Sequence, residues 1–143
     1  MASVISTGTF VLDSFAILAY AQAEPGMAYV EELLTHARQG RAKLFMHEIN
    51  AGEVYYLLFR RRGEEAADDF YAQMRHYPVQ FVDDLSGRVL LSAARVKALY
   101  PLSYADAFAV ATAQRYDARL VSGDPEFKRL VADRLIQLAW PTA

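Results

Sequence analysis

Cysteine is absent from the 143 residues of this chain, which excludes both a disulfide scaffold and a thiolate metal site. Nothing in the sequence therefore requires an oxidising compartment. An excess of positive charge is also missing: the formal net charge is −2, so any contact with nucleic acid has to come from local patches rather than from the whole surface. No apolar run approaches the length needed to cross a bilayer, and Met1 to Phe10 has no basic segment ahead of a long apolar core. Secretion and membrane insertion are not expected, and a cytoplasmic location fits best. Neither a G-x-S-x-G elbow nor a phosphate-binding P-loop occurs, which leaves serine hydrolases and nucleotide switches without support. His36, His47 and His76 stand at no metal-like spacing. There is no repeat, linker or low-complexity tract.

What is present is globular. Hydrophobic residues make up 54% of the chain and charged residues 22%, a balance that separates it from disordered sequences. The length suits one compact domain over residues 1–143, large enough to bury a core without staples. Phe10-Val11-Leu12 reads as a short strand, and Phe15 to Ala21 as the start of a helix. Met27, Val30, Leu33, Leu34 and Ala37 recur at helical spacing until Gly40 stops them. Ala42 to His47 is a second strand, followed by helices from Glu48 to Arg62 and from Glu64 to about His76, with Pro78 ending the helical region. Val79 to Val82 alternates like a strand. Val89 to Leu99 and Ser103 to Tyr116 read as helices, Arg119 to Ser122 as a strand, Asp124-Pro125 as the opening of a short helix, and Leu135 to Trp140 as a last strand. This alternation predicts an α/β three-layer sandwich, a mostly parallel sheet of about five strands with helices on both faces. Ligands of such sheets bind beyond the carboxyl ends of strands near a topological switch point, and Asp13 and Asp124 both lie just past predicted strands.

Four carboxylates, Asp13, Glu53, Asp106 and Asp124, are set among apolar or small residues rather than in charged runs. Three of them have an ordinary structural explanation. Asp13 can cap the helix that follows it, Asp106 follows Ser103 at a spacing close to the capping box, and Asp124-Pro125 suits an N-cap with proline in the first turn. Glu53 is harder to explain. It lies within a helix beside Ala51, Gly52 and Val54, and Ile49, Asn50, Tyr56 and Leu57 at the neighbouring turns are uncharged, so a partner must come from elsewhere. If the four converge, two unit charges about 4 Å apart repel by roughly 4 kcal/mol at an effective dielectric near 20. Such a cluster needs protons or a cation. All-oxygen ligands favour Mg²⁺ or Mn²⁺ over zinc, and such an ion suits phosphodiester hydrolysis.

Val11-Leu12-Asp13-Ser14, Asn50-Ala51-Gly52-Glu53-Val54, Leu102-Ser103-Tyr104-Ala105-Asp106-Ala107 and Ser122-Gly123-Asp124-Pro125-Glu126-Phe127 resemble, in order and spacing, the four motifs of PIN-domain proteins, with the nearest likeness to the VapC toxins of toxin–antitoxin modules. The resemblance covers nearly the whole chain. It implies a parallel sheet flanked by helices, Mg²⁺-dependent endoribonuclease activity, an RNA substrate, inhibition by a cognate antitoxin protein, and a homodimer. It further implies Asp13 and Asp106 as direct metal ligands, with Glu53 and Asp124 completing the acidic pocket. Ser122 would add a hydroxyl near the site, Asn50 would fix Glu53 from behind, and Ser14 would contribute a backbone or hydroxyl contact. The mechanism it suggests has one or two Mg²⁺ ions at Asp13, Asp106 and Asp124. The chain departs from the pattern at Phe15, where the family usually has a small residue; the ring either narrows the pocket or faces the core.

Arg60, Arg61 and Arg62 are either a solvated basic helix end favoured by the dipole or an RNA phosphate contact. Tyr55, Tyr56, Phe59 and Tyr71 recur at near-helical spacing and are either core or a partner surface. The latter would suit a catalytically silent PIN-like scaffold, an alternative that metal-dependent activity would exclude. A receiver-like phosphoacceptor role for Asp13 lacks the acidic pair before it and the late lysine.

Overall fold

The computed structural model describes residues 6–141. The first five residues of the Met1 to Phe10 segment lie outside the described residues. Five parallel strands form one sheet in the order β3-β2-β1-β4-β5, with β1 at Gly8–Leu12, β2 at Ala42–His47, β3 at Gln80–Val82, β4 at Arg119–Val121 and β5 at Leu138–Ala139. Seven helices connect them among the described residues: α1 (Ser14–Ala21), α2 (Met27–Arg38), α3 (Glu48–Arg62), α4 (Glu64–Met74), α5 (Gly87–Leu99), α6 (Tyr104–Arg115) and α7 (Lys128–Ala132), the last preceded by a 3₁₀ turn at Pro125–Phe127. The expected α/β sandwich is the observed one.

Strand residues alternate between two cores. Phe10 and Leu12 of β1 and Leu44 and Met46 of β2 pack with α1, α2, α3 and α4 on one face. Val11 and Phe45 face α5 and α6 on the other, with Phe127, Leu130 and Ile136 completing that layer. Burial on both faces explains why these strands read as continuous apolar runs. Gly40 ends α2 as expected: its φ is +76°, and the amides of Gly40 and Arg41 reach back to the carbonyls of Ala37 and His36 at 3.1 and 2.8 Å, the paired closure that a left-handed residue allows.

The last strand is a correction. An extended run over Leu135 to Trp140 is expected, yet only Leu138 and Ala139 form it. The Leu135 amide closes the end of α7 on the Leu130 carbonyl at 2.9 Å, and Ile136 turns into the core. Their groups are committed before pairing with β4 begins. Among the described residues no helix is long and apolar enough to cross a membrane.

The chain winds outward from β1 through β2 to β3, then returns to lay β4 and β5 on the other side of β1. The strand order therefore reverses between β1 and β4, which are in register at Leu12 and Val121. A crevice at their carboxyl ends is where such a sheet accepts ligands.

Candidate active site at the switch point

Asp13 immediately follows β1 at this reversal. Its extended backbone (φ −90°, ψ 178°) makes it the N-cap of α1, and its Oδ1 accepts the Ala16 amide at 2.8 Å. The capping role is thus real, but it occupies one oxygen. Oδ2 is buried, with no hydrogen-bond partner among the described residues and the residue only 1% exposed. Burial pushes the carboxyl up to about 8, against the lowering effect of the Ser122 hydroxyl and the Ala16 amide; the charges of Asp106 and Asp124 raise it further. An acid with one oxygen left over in a dry site calls for a proton or a cation.

Glu53 finds its partner on α1. The Ser14 hydroxyl donates to the Glu53 carboxylate and lies 3.3 Å from the Asn50 carbonyl oxygen. Asn50 does something other than the expected bracing of Glu53. Its amide Nδ2 donates to the Ala105 carbonyl at 3.0 Å, joining α3 to the first turn of α6, while its Oδ1 is buried without a partner among the described residues. Asp106 lies in that same turn. Ser103 caps the helix by accepting the Asp106 amide at 3.1 Å. Burial pushes the half-buried Asp106 carboxyl up to about 6, with the nearby Ser103 hydroxyl lowering it and Glu53, Asp124 and Glu126 raising it.

Asp124 follows β4 and caps the 3₁₀ turn, its Oδ1 accepting the Glu126 amide at 2.9 Å. Ser122 holds the loop beneath it, its hydroxyl accepting the Asp124 amide at 3.1 Å. This tight turn brings Glu126 back toward Asp124. Carboxylate oxygens of Asp106, Asp124 and Glu126 lie within 4.8 Å of one another, whereas the expected metal set was Asp13, Asp106 and Asp124. Asp13 is close enough to feel Asp106 and Asp124 but is not part of the tight triplet. Glu126 is the residue that the sequence reading passed over. Its signal was the Asp-Pro-Glu order, in which proline in the first turn and the aspartate cap fold two carboxylates onto one side.

A PIN domain family model matches residues 10–132, a span that contains all five carboxylates. The chain belongs to the PIN-domain family. Solved structures of similar fold include VapBC2 from Rickettsia felis bound to a DNA fragment from its promoter, at 15% identity and a TM-score of 0.71, covering 93% of this chain and 99% of that one. The sarcin-ricin-loop-cleaving toxin VapC20 of Mycobacterium tuberculosis matches at 17% identity and 0.67, covering 85% and 94%. DNA-bound VapBC from Salmonella typhimurium matches at 12% and 0.69, covering 91% and 96%. At these identities the likeness concerns the fold. No curated protein matches the chain.

Phe15, the departure from the PIN pattern, neither enters the core nor hangs free. Its ring meets Trp140 edge-to-face at 5.6 Å, and 41% of the residue stays exposed. Gly123 is pinned against both rings: a Cβ there would come within 2.4 Å of Trp140 Nε1 and 2.8 Å of Phe15 Cε1. His47, at no metal-like spacing, is a buried cap. Its Nδ1 accepts the Ile49 amide at 3.0 Å, which leaves the proton on Nε2 for the Asp84 carbonyl at 3.0 Å. The aromatic set divides. Tyr55 and Tyr71 join α3 to α4, with the Tyr55 hydroxyl donating to Asp68 at 2.6 Å, while Tyr56 and Phe59 are exposed. Arg60 lies over the Tyr56 ring at 5.2 Å in the exposed last turn of α3.

Proposed function

We propose that this PIN-domain protein is a divalent-metal-dependent endoribonuclease, the toxin of a toxin–antitoxin pair. The observation that carries the proposal is the gathering of Asp106, Asp124 and Glu126 within 4.8 Å, with Asp13 and Glu53 near enough to act on that cluster and the buried Asp13 Oδ2 unpartnered among the described residues. A structural cap needs one oxygen from each aspartate; Asp13 and Asp124 each have a second. Such a donor set fits Mg²⁺ or Mn²⁺, which take oxygen ligands and few of them from protein.

Asp106, Asp124 and Glu126 would hold the ion at the rim, with Asp13 behind them. When bound, it would supply neutralising charge to a phosphodiester and a more acidic water. The protein's own contributions are distinct. Ser14 keeps Glu53 oriented from α1, Asn50 ties the Asp106 turn to α3, and Ser122 fixes the Asp124 loop. The rest of the chain excludes water from Asp13, whose raised carboxyl would give up its proton only when a cation neutralises the cluster.

RNA as substrate is supported by the PIN family and by the arginines at the end of α3. Arg60 lies seven residues beyond Glu53, about 10 Å along the helix axis, a distance suited to contacting phosphates flanking the one being cut. A protein antitoxin as partner is supported by the VapBC structures of like fold. A homodimer is supported by the PIN-family likeness, and Leu91 and Leu99 of α5, 68% and 61% exposed, are apolar side chains that such an interface could cover.

The test is cleavage of a mixed pool of single-stranded and structured RNA with Mg²⁺ or Mn²⁺, comparing the chain, Asp106→Asn and an EDTA control. Metal-dependent cutting that disappears in the variant is the expected result. Metal binding without cutting by the unaltered protein would point to a narrow RNA target or a bound inhibitor, whereas failure to bind the metal as well would move the reading to a silent scaffold.

A further inference from the structure

We propose that Phe15 is a stacking platform for an unpaired nucleobase of the RNA, a positioning residue that sets which nucleotide lies beside the carboxylates. The inference rests on the ribonuclease reading and adds to it a binding element beside the carboxylates.

The geometry is as follows. Phe15 stands in the first turn of α1, two residues past Asp13, and its ring touches Gly123, the residue before Asp124. It therefore stands on the helix that Asp13 caps and against the loop that carries Asp124. Trp140 fixes the ring by an edge-to-face contact and is itself held by Tyr29 at 6.3 Å. A side chain with so few free rotamers loses little entropy on binding. Yet 41% of the residue remains exposed, although Ser14 and Ala16 on either side of it are buried.

A single exposed phenylalanine is ordinary. The position of this one is not, because a nucleotide whose phosphate reached the ion-loaded cluster would have its base to place on a neighbouring surface. Carboxylates offer that base hydrogen bonds at its amino groups but no stacking. A nucleotide held there gains from a flat apolar surface, and every base has a π-face to offer it. Bases of unpaired RNA are free to splay onto such rings, whereas those of a duplex are not. The platform thus favours single-stranded or looped RNA at the site.

Trp140 is the one tryptophan of the chain, so its emission reports on this corner alone. The experiment mixes the full-length protein, with Mg²⁺, against ten-residue oligo(A) and oligo(U) in a stopped-flow instrument, which records binding before any cutting. Phe15→Leu keeps an apolar side chain and removes the π-face; Phe15→Tyr keeps the ring. The expected result is a change in Trp140 emission on mixing, affinity for oligo(A) about tenfold weaker in Phe15→Leu, and near-normal affinity in Phe15→Tyr, within the range of one stacked base. Melting curves of both variants verify folding. Equal affinity for all three proteins would overturn the platform and leave the nuclease untouched. Failure of the unaltered protein to bind either oligonucleotide would overturn the platform together with the RNA reading.

Discussion

The hydroxyl of Ser14 donates to the carboxylate of Glu53, linking the first turn of α1 to the middle of α3 across the mouth of the acidic cluster. Sequence neighbours offer Glu53 no cation, and this hydroxyl is what the fold provides instead. The bond orients a charge without neutralising it. Ser14→Ala should therefore leave the fold intact at a cost of about 1 to 2 kcal/mol, while cutting the cleavage rate about tenfold through a mobile Glu53. Urea unfolding and single-turnover kinetics check the two effects separately. A variant with normal rate would reduce Ser14 to packing.

The stability of the metal-free protein should fall as pH rises. Asp13 has a carboxyl raised from 3.8 to about 8 by burial, so between these values the folded state binds a proton that the unfolded state releases. Stability from this group is fully present below about pH 4 and is lost as pH climbs through about 8, with a slope of up to about 1.4 kcal/mol per unit. Asp106, raised to about 6, adds to the same trend in the lower part of the window. Asp13→Asn retains a good cap and cannot ionise. It should be more stable than the parent at pH 8 in EDTA, with a flatter profile from pH 6 to 8. Urea titrations across that range decide it, and an unaltered slope would show that Asp13 is not the group responsible.

Glu126 distinguishes the observed triplet from the set expected from sequence. If the ion is held by Asp106, Asp124 and Glu126, Glu126→Gln should weaken Mg²⁺ binding about tenfold. At an ion concentration 100 times the parent's dissociation constant, the parent gains about 2.7 kcal/mol of stability and the variant about 1.4. Calorimetric titration and melting with and without Mg²⁺ give both numbers. Equal affinities would assign the ion to Asp13, Asp106 and Asp124.

The architecture was legible because its signals are local and repeated: apolar triplets such as Leu44-Phe45-Met46, Gly40 after α2, Pro78 after α4. The four carboxylates were legible as an ordered set because each interrupts an apolar or small-residue context. What did not show in the sequence depends on where side chains meet after the sheet has formed. Nothing local says that Asn50 reaches the Ala105 carbonyl 55 residues away, or that a 3₁₀ turn rather than a full helical turn returns Glu126 to Asp124. The same holds at the end of the chain, where Leu135 to Trp140 has strand-like residues but Leu135 closes a helix. Phe15 was marked as a departure, yet its position at the rim follows from Trp140, a contact across 125 residues of sequence that no periodicity encodes.

Gly123 offers the closest test of that corner. No left-handed φ constrains it; the requirement for glycine is purely one of space, since an added Cβ would lie 2.4 Å from Trp140 Nε1, 2.6 Å from Trp140 Cε2 and 2.8 Å from Phe15 Cε1. Gly123→Ala must push the rings apart, and overpacking of this kind costs about 1 to 3 kcal/mol. Because the loop also carries Asp124, the variant should bind Mg²⁺ more weakly and change the Trp140 emission. The origin of the cost can be isolated by a double-mutant cycle. Trp140→Phe removes both indole atoms nearest the new methyl group, so Gly123→Ala should cost at least about 1 kcal/mol less in that background than in the parent. Additive costs would mean that the methyl group clashes elsewhere, and that the indole does not set the position of the Asp124 loop.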